Sequence, residues 1–279
     1  MHLKMSRIAA KKAVCNGSDV QIHHYSGFFS CCSVTLRSII EFIKSNDVAP
    51  IIIDVNDAFN EYKKASQSLS VWFVDPKHSI GAIIKGPNTF TPSSHDIFQH
   101  WFENDPYVFD VNAFQFIINT YFKPNSSMIE LKNQIKVKYG INPSQTLFLY
   151  YRGTDKVVEM SHTPVDIMIE KCREVNNDLS ILVQSDEPTF VERVRNEFPD
   201  VKQIEELEAR GHEDLEERHI HSRYLLASAL IASECNSIVM TTGNVSLWMF
   251  LYRGHNKNVY QYHHAHNKEI GDFLRLEDS

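Results

Sequence analysis

The sequence between residues 146 and 262 alternates short apolar segments with longer segments that have the apolar spacing of a helix. The apolar segments have strand character and lie at 146–151, 179–183, 201–204, 237–240 and 258–260. The helix-like segments lie at 164–175, 189–198, 220–234 and 245–252. This order, with short loops, predicts a parallel sheet with right-handed crossovers and helices on both faces. Ligands of such sheets bind beyond the carboxyl ends of the strands, here the loops after Tyr151, Val183, Ile204 and Met240.

The first part of the chain is less regular. Its predicted elements are a loop at 27–33, a helix at 34–43, a buried strand at 50–55, short strands and turns within 65–98, and a Pro-containing segment at 122–124 that leads into a helix at 128–139. A chain of 279 residues exceeds the usual size of one core. It therefore forms either two modest domains or one large α/β domain. We place the boundary between two domains within residues 120–145.

The charge and apolar content of the chain exclude some partners. The net charge is −7, with the two signs interspersed, which argues against a general nucleic-acid binder. No apolar run is long enough to cross a bilayer, and the basic N-terminus has no apolar signal core. We therefore expect a cytoplasmic protein without stable membrane insertion.

The cysteines and histidines do not form a metal-binding pattern. The 5 cysteines include no CxxC pair, so we expect reduced thiols without a disulfide framework or a zinc site. Histidines cluster at 23–24 and 263–266, but they have no acidic or cysteine partner at ligand spacing. We expect neither a metal nor a cofactor.

The loop after the first of the regular strands carries most of the candidate catalytic groups. Arg152 follows this strand directly, and the forked donors of a guanidinium match a phosphate. Asp155 and Lys156 can orient that arginine or add charge, and Glu159 is a carboxylate available as a general base. A solvated charged loop is the alternative interpretation.

Two further loops place polar groups beside a helix start. Ser185 or Asp186 can cap the helix that follows them. The turn Thr241–Thr–Gly–Asn244 leads into an apolar helix, which predicts a cradle of backbone N–H groups at the positive end of a helix dipole. The chain has neither GxGxxG nor the Walker pattern, so a nicotinamide site or a P-loop is disfavoured.

Arg223 is a second candidate cation for a diphosphate. It lies in the segment HIHSRY (219–224), at the start of an Ala-rich helix. An ion pair with the nearby Glu213, Glu216 or Glu217 explains this arginine equally well.

In their order along the chain, these segments resemble motifs of the core (alpha-1,6-type) fucosyltransferases and the related Nod-factor and protein-O-fucosyltransferases. The family's motifs are RPQPWL before a helix, a strand ending in HVRRTDKVG with a following Glu, then TDDP, HNRY and TFSSQV. The corresponding segments here are FKP at 122–124, YYRGTDKV at 150–157, SDEP at 185–188, HSRY at 221–224 and MTTGNV at 240–245. The resemblance covers residues 120–262 and rests on five short segments in register.

The resemblance implies a GT-B-like α/β fold of two Rossmann-like domains with parallel sheets, of which the C-terminal one is clearest. Residues 1–125 would bind the acceptor, and residues 126–279 would bind a nucleotide diphosphate sugar donor. It also implies inverting, metal-independent transfer of the sugar to a glycan hydroxyl, in agreement with the absence of an Asp-x-Asp motif. Ser30 and Ser33, in the predicted loop at 27–33, are the candidate acceptor contacts.

The same motifs imply individual roles. Arg152 corresponds to the donor-phosphate arginine, and Glu159 to the proposed base. Asp155 and Lys156 match the Asp–Lys pair of the motif. The donor-binding residues implied in this way are Arg152, Ser185, Asp186, Arg223, Tyr224, Asn236, Thr241, Thr242, Gly243, Asn244 and Val245.

Three departures from the family's motifs leave the donor open. Tyr150 stands where the family has a histidine that contacts guanine, and Gly153 stands where it has a second arginine. Asn236 aligns with an aspartate that reads guanine. GDP-fucose is the leading donor, and UDP-xylose or GDP-rhamnose is a competitor.

Two other functions remain alternatives. The first is a non-catalytic nucleotide- or glycan-binding module of the same fold. The second is another Rossmann-type enzyme, such as a methyltransferase or a nucleotidyltransferase. The second is disfavoured because no Gly-rich first turn is followed by an acidic residue at ribose distance.

Overall fold

A computed structural model describes residues 15–16, 19–21, 27–46, 50, 52–54, 59–64, 67–75, 111–153, 163–208, 214–263 and 272–275. Its strands are β1 (Cys15–Asn16), β2 (Asp19–Gln21), β3 (Ile52–Asp54), β4 (Thr146–Tyr151), β5 (Ser180–Ser185), β6 (Val201–Gln203), β7 (Ser237–Thr241), β8 (Val259–His263) and β9 (Asp272–Arg275). Its α-helices are α1 (Phe28–Asn46), α2 (Asn112–Tyr121), α3 (Ser126–Lys138), α4 (Val165–Val175), α5 (Pro188–Glu197), α6 (Leu215–Glu234) and α7 (Asn244–Arg253). Short 3-10 helices cover Leu69–Val71, Pro143–Gln145 and Glu205–Leu207.

The predicted parallel sheet is present in the C-terminal half. Its strand order is β6-β5-β4-β7-β8-β9, and the pairs from β6 to β8 are parallel, whereas β9 runs antiparallel to β8. All residues of the central strand β4 are buried, as expected for a strand covered on both faces. The predicted α/β fold is confirmed.

Alternate residues of β4 face two different hydrophobic clusters, as the two-residue period of a strand requires. Leu147, Leu149 and Tyr151 pack with helices α4 and α5 on one face. Phe148 and Tyr150 pack on the other face, in a cluster that contains residues of α6, α7, α1 and α2. The sheet therefore lies between two helical layers.

Helix boundaries differ from the predicted ones where a capping residue lies outside the apolar pattern. Helix α6 begins at Leu215 rather than near residue 220, because Asp214 accepts a hydrogen bond from the backbone N–H of Glu217 at 2.8 Å. Helix α7 ends at Arg253 and is followed by Gly254, whose φ of 72° is the left-handed conformation that favours glycine at this position.

The N-terminal part contains a small parallel βαβ unit. Strand β2, helix α1 and strand β3 follow one another, and β2 pairs with β3 in parallel. Helix α1 begins at Phe28, so the prediction of a loop at 27–33 is wrong. Phe28, Phe29 and Cys32 are buried at helical spacing and extend the apolar face of the helix into its first turn. Of the segment 65–98, residues 67–75 are described, and they form a 3-10 turn and a single bridge from Phe73 to Pro124 rather than strands.

Side chains from the N-terminal part pack directly on α7. Trp248 donates its ring N–H to Ser33 Oγ at 3.0 Å and stacks on Phe29, with the ring centroids 6.0 Å apart. Gln115 of α2 donates to the carbonyl oxygen of Leu251 at 2.8 Å. One hydrophobic cluster therefore contains residues from both sides of the predicted boundary, and the division into 1–125 and 126–279 stays a prediction.

Among the helices of the described residues, none has the length and apolar character needed to span a membrane.

Candidate functional site

The carboxyl ends of β4, β5 and β7 meet at one edge of the sheet. Tyr151 lies opposite Ser185 of β5, and Tyr150 lies opposite Met240 of β7. Because the strands are parallel, the residues that follow them leave the sheet side by side. The backbone N–H of Arg152 donates to Thr241 Oγ1 at 3.2 Å, which joins two of the predicted loops.

Asp186 connects the ends of β4 and β5. Its Oδ1 accepts a hydrogen bond from the backbone N–H of Gly153 at 3.0 Å, and its Oδ2 lies 3.9 Å from Nε of Arg152. The side chains of Arg152 and Asp186 are each about a third exposed, at 31% and 30%. The guanidinium therefore leans toward β5 and stays accessible to solvent.

Ser185 turns the chain into the next helix. Its hydroxyl is 5% exposed and accepts a hydrogen bond from the backbone N–H of Glu187 at 3.0 Å. This contact is a turn within the loop and not the predicted cap, because Glu187 occupies the N-cap position of α5 and makes no side-chain capping hydrogen bond there. Ser185 thus holds the loop in which Asp186 is presented.

Tyr151 is a rigid support beneath Arg152. Its ring stacks on Phe190 at a centroid distance of 4.1 Å, and its hydroxyl donates to the carbonyl oxygen of Thr163 at 2.9 Å. Burial raises the pKa of this hydroxyl, and the nearby carboxylates of Glu187 and Asp186 raise it further. Tyr151 therefore stays neutral and serves to position its neighbours.

The hydroxyl groups of the turn at 241–245 are used within the protein. Thr242 Oγ1 donates to the carbonyl oxygen of Tyr262 at 2.9 Å and accepts from Gln261 Nε2 at 2.8 Å. Thr241 Oγ1 accepts from Arg152, and Ser246 Oγ donates to the carbonyl oxygen of Thr241. These side chains fix the turn, so the groups left for a ligand are its backbone N–H groups.

The backbone of this turn has the geometry of an anion cradle. Helix α7 begins at Asn244, and its first intrahelical donor is Leu247, which bonds Gly243 O at 3.0 Å. The N–H groups of residues 243–246 are the four donors that a helix start leaves unpaired within the helix. A Cβ placed on Gly243 would meet no atom within 4 Å, although the residue itself is buried. Asn244 is partly exposed beside it, and Val245 is buried in the core.

Arg223 and Tyr224 make their contacts with residues of α3 and of the 3-10 helix at Glu205–Leu207. Arg223 donates from Nη2 to Ser127 Oγ at 2.7 Å, and within the described residues its Nε is buried without a hydrogen-bond partner. Among the same residues it forms no ion pair, so the alternative of a bridge to Glu216 or Glu217 is not observed. Burial raises the pKa of Tyr224, and Glu206 adds to this effect. These contacts join α6 to α3 and do not involve the turn at 241–245.

Asn236 is not brought to this edge. It directly precedes β7 and therefore lies at the amino end of that strand, the edge opposite to Thr241. Its Nδ2 donates to Ser144 O at 3.3 Å, and its Oδ1 accepts from Ser237 Oγ at 3.0 Å. Asn236 therefore contacts residues at the amino end of β7, and its role as a contact of the donor base stays a prediction.

The two candidate acceptor residues lie within helix α1. The hydroxyl of Ser33 is buried, donates to Phe29 O at 2.9 Å and accepts from Trp248. Ser30 lies in the first turn, where its N–H bonds Gly27 O at 2.8 Å. The hydroxyl of Ser33 is thus used within the core, and the acceptor roles of Ser30 and Ser33 stay predictions.

Three predicted catalytic residues, Asp155, Lys156 and Glu159, lie outside the described residues.

Gln261 is a residue at this edge that could not be predicted from the sequence. The available signal was a glutamine inside an otherwise aromatic strand, VYQYH. Its partner Thr242 follows a neighbouring strand, and the contact becomes visible only when the strand order is known.

Among the described residues, no three His, Cys, Asp or Glu side chains are grouped as ligands for a metal ion.

The comparisons with known proteins give structural neighbours only. No protein-family model matches the sequence, and a search of curated proteins gives no match. The crystal structure of NodZ alpha-1,6-fucosyltransferase soaked with GDP-fucose has a TM-score of 0.56 and 10% identity, over 93% of this chain and 98% of that one. The same enzyme co-crystallized with GDP gives a TM-score of 0.51 and 11% identity, over 92% and 97% of the two chains.

A third structure, fucosyltransferase NodZ from Bradyrhizobium, has a TM-score of 0.50 and 11% identity, over 93% of this chain and 98% of that one. The overlap extends over nearly the full length of both chains. The chain therefore has the GT-B-like α/β fold of these fucosyltransferases.

Proposed function

We propose that this protein is a glycosyltransferase that moves a sugar from a nucleotide diphosphate donor to a glycan hydroxyl. One observation carries the proposal: Arg152 and the turn before α7 are joined by a hydrogen bond at the carboxyl edge of a parallel sheet. A solvent-accessible guanidinium and a helix start are both suited to a diphosphate. The likeness of the fold to a fucosyltransferase solved with GDP and with GDP-fucose supports the same reading.

Arg152 and the backbone N–H groups of residues 243–245 would bind the two phosphates of the donor. Negative charge grows on the leaving phosphate as its bond to the sugar breaks. Fixed donors that face this charge lower the barrier because they need no reorganisation during the reaction. Asp186 would hold the guanidinium in place, since it also anchors the peptide N–H of Gly153.

The proposed reaction is a single displacement with inversion. The acceptor hydroxyl gives its proton to Glu159, and its oxygen forms a bond to the anomeric carbon of the sugar. The bond from that carbon to the phosphate oxygen breaks, and the nucleotide diphosphate leaves with the electron pair. Asp155 and Lys156 would position this loop and the acceptor. The proposal includes no metal, because Arg152 and the helix start would supply the charge that a metal supplies elsewhere.

GDP-fucose is the proposed donor, and UDP-xylose and GDP-rhamnose are the competitors. Tyr150 replaces the family's guanine-binding histidine, and Asn236 is turned away from this edge. A guanine would therefore need contacts other than the family's pair. The base is the least constrained part of the donor.

The first experiment is a thermal-shift panel with GDP, UDP, ADP and TDP, each with and without a divalent metal. A ligand at 100 times its Kd stabilises the folded state by about 2.7 kcal/mol through mass action. We expect one nucleotide to raise the unfolding temperature, and the metal to change nothing. A chain that responds to none of the four would contradict the proposal.

A non-catalytic nucleotide-binding module is the second candidate. Gly153 favours it, because the family's second arginine is missing and fewer cations face the leaving group. Such a module would bind the nucleotide without turnover. Incubation with the matching nucleotide sugar separates the two, since an enzyme releases free nucleotide diphosphate by transfer or slow hydrolysis.

A further inference from the structure

Gln261 is a buried polar residue next to the proposed diphosphate turn. It is 1% exposed in the middle of β8. Tyr260 and Tyr262 pack on the face of the sheet that carries α4 and α5. Successive side chains of a strand point to opposite faces of the sheet. Gln261 therefore faces the other helical layer, which contains helix α7.

The hydrogen bonds around Thr242 determine how this amide is oriented. The Thr242 hydroxyl has one proton and gives it to the carbonyl oxygen of Tyr262, at 2.9 Å. The Thr242 oxygen must therefore accept a hydrogen bond from the amide of Gln261, and only the NH2 group of an amide can donate one. Gln261 Nε2 donates to Thr242 Oγ1 at 2.8 Å, which leaves Oε1 without a partner among the described residues.

Stability alone does not explain a glutamine at this position. A neutral hydrogen bond gives a small net gain in folding, whereas an unpaired buried acceptor bears its full desolvation penalty. An apolar side chain of the same size would avoid that penalty. The contact that distinguishes the glutamine from such an apolar side chain is its hydrogen bond to Thr242.

We propose that Gln261 is a positioning residue for the turn at 241–245, acting through the hydroxyl of Thr242. Thr242 is tied to β8 on one side, and Thr241 is tied to the backbone of Arg152 on the other. The turn is thus held between the ends of two strands. This inference rests on the proposed function, since it assigns a diphosphate as the ligand of the turn.

The experiment compares three variants of the full chain. Gln261→Leu removes the donor, and Thr242→Val removes the acceptor at constant size. Gln115→Leu is the matched control, because it removes a glutamine hydrogen bond from the carboxyl end of the same helix α7. Calorimetry gives the Kd for GDP well below the unfolding temperature of each variant, and kcat and KM are measured with GDP-fucose.

We expect Gln261→Leu and Thr242→Val each to weaken GDP binding about tenfold and to lower kcat, as expected when a binding group is displaced by a fraction of an ångström. The double variant should lose no more than Thr242→Val alone, because that variant already removes the contact between the two side chains. Gln115→Leu should bind GDP as the wild type does. If Gln261→Leu does not fold, Thr242→Val carries the same test.

Two results overturn the inference, and they can be told apart. If the wild type binds GDP and both variants bind it equally well, Gln261 has no positioning role although the proposed function stands. If the wild type binds none of GDP, UDP, ADP or TDP, the proposed function is wrong and the inference fails with it.

Discussion

The guanidinium Nε of Arg152 lies 3.9 Å from Oδ2 of Asp186, across the ends of two adjacent parallel strands. An ion pair of this length between partly exposed groups is weak. Oδ1 of the same carboxylate accepts a hydrogen bond from the backbone N–H of Gly153. Asp186 therefore contacts both the side chain of Arg152 and the backbone that follows it.

Replacement of Arg152 is expected to abolish sugar transfer while the fold is kept. Arg152→Ala removes a fixed donor from the leaving phosphate, which lowers kcat by about 100- to 1000-fold. Arg152→Lys keeps the charge but loses the planar fork of donors, so its kcat should lie between those of the alanine variant and the wild type. The measurement is release of nucleotide diphosphate from the donor in the presence of acceptor.

Arg193→Ala is the matched control, because this exposed arginine of α5 pairs with Asp166 and Glu197 on the outer surface. It should leave kcat unchanged. Turnover by Arg152→Ala at more than about a tenth of the wild-type rate would remove Arg152 from the reaction.

The strands of the sheet could be predicted from the sequence, and the reason is burial. Strands β4, β5 and β7 are covered on both faces, so they appear as uninterrupted apolar runs. The starts of α1 and α6 could not be predicted from that pattern. Helix α6 begins at a cap, Asp214, in an acidic loop, and α1 begins with residues that also fit a loop.

The site could be predicted only in part. The convergence of Arg152, Asp186 and Thr241 follows from parallel strands, whose carboxyl ends share one edge. The same rule places Asn236, which precedes β7, at the other edge, so its assignment conflicted with the predicted topology. The link from Gln261 to Thr242 depends on which strands are neighbours, and strand order is a property of the tertiary fold.

Acid is expected to weaken the contact between α3 and the end of α6. Burial alone would raise the pKa of Glu234, but the hydrogen bonds from Lys132 and Lys136 outweigh it and lower this pKa. Lys136 Nζ lies 2.8 Å from Oε2, and Lys132 contacts Oε1. A carboxyl whose pKa is lower in the folded state stabilises the protein above its unfolded pKa of about 4.3 and loses this effect as the pH falls.

The test is Glu234→Gln, unfolded with urea at pH 7 and at pH 3. The variant should be less stable than the wild type by about 0.5–1 kcal/mol at pH 7, because the group is partly exposed. The difference should vanish toward pH 3. The control Glu192→Gln, at an exposed position of α5, should have the stability of the wild type at both pH values. If Glu234→Gln were equally destabilised at pH 7 and at pH 3, the ionic explanation would be excluded.

Arg253 is expected to be a principal stabilising residue of the C-terminal half. Its guanidinium donates to backbone carbonyls that follow or end helix α6: Nη1 to Cys235 O at 2.6 Å and to Ser233 O at 3.3 Å, and Nη2 to Asn236 O at 3.1 Å. It also donates twice to Lys257 O. Ser233 O and Cys235 O lie at the end of α6, where a helix leaves its last carbonyl groups without intrahelical donors and where a cation is favourable.

Arg253→Met should lower the free energy of unfolding by about 2–4 kcal/mol, because several half-buried carbonyls lose a charged donor. Arg253→Lys should recover only part of the loss, since one ammonium group cannot reach all of these oxygens. Urea denaturation measures both. Arg173→Met, which breaks an exposed pair with Glu197, provides the comparison and should cost less than about 1 kcal/mol. If Arg253→Met lost no more stability than Arg173→Met, Arg253 would not be a principal stabilising residue.

Gly153 is expected to tolerate no side chain unless Glu187 moves. A Cβ built on Gly153 would lie 1.9 Å from Glu187 Oε1 and 2.8 Å from Cε1 of Tyr151. The carboxylate ends a flexible side chain and can turn away. The ring of Tyr151 cannot, because it stacks on Phe190 and its hydroxyl is bonded to Thr163 O.

Gly153→Ala should therefore destabilise the fold by about 1–3 kcal/mol, as an overpacked site does. Adding Glu187→Ala should restore the part of the lost stability that is due to the clash with the carboxylate. The two substitutions should therefore be coupled in a double-mutant cycle measured by urea denaturation. Strict additivity would mean that Glu187 does not occupy this space. Coupling would explain why the family's second arginine is absent here: a long side chain at residue 153 would have to displace Glu187 and the ring of Tyr151 together.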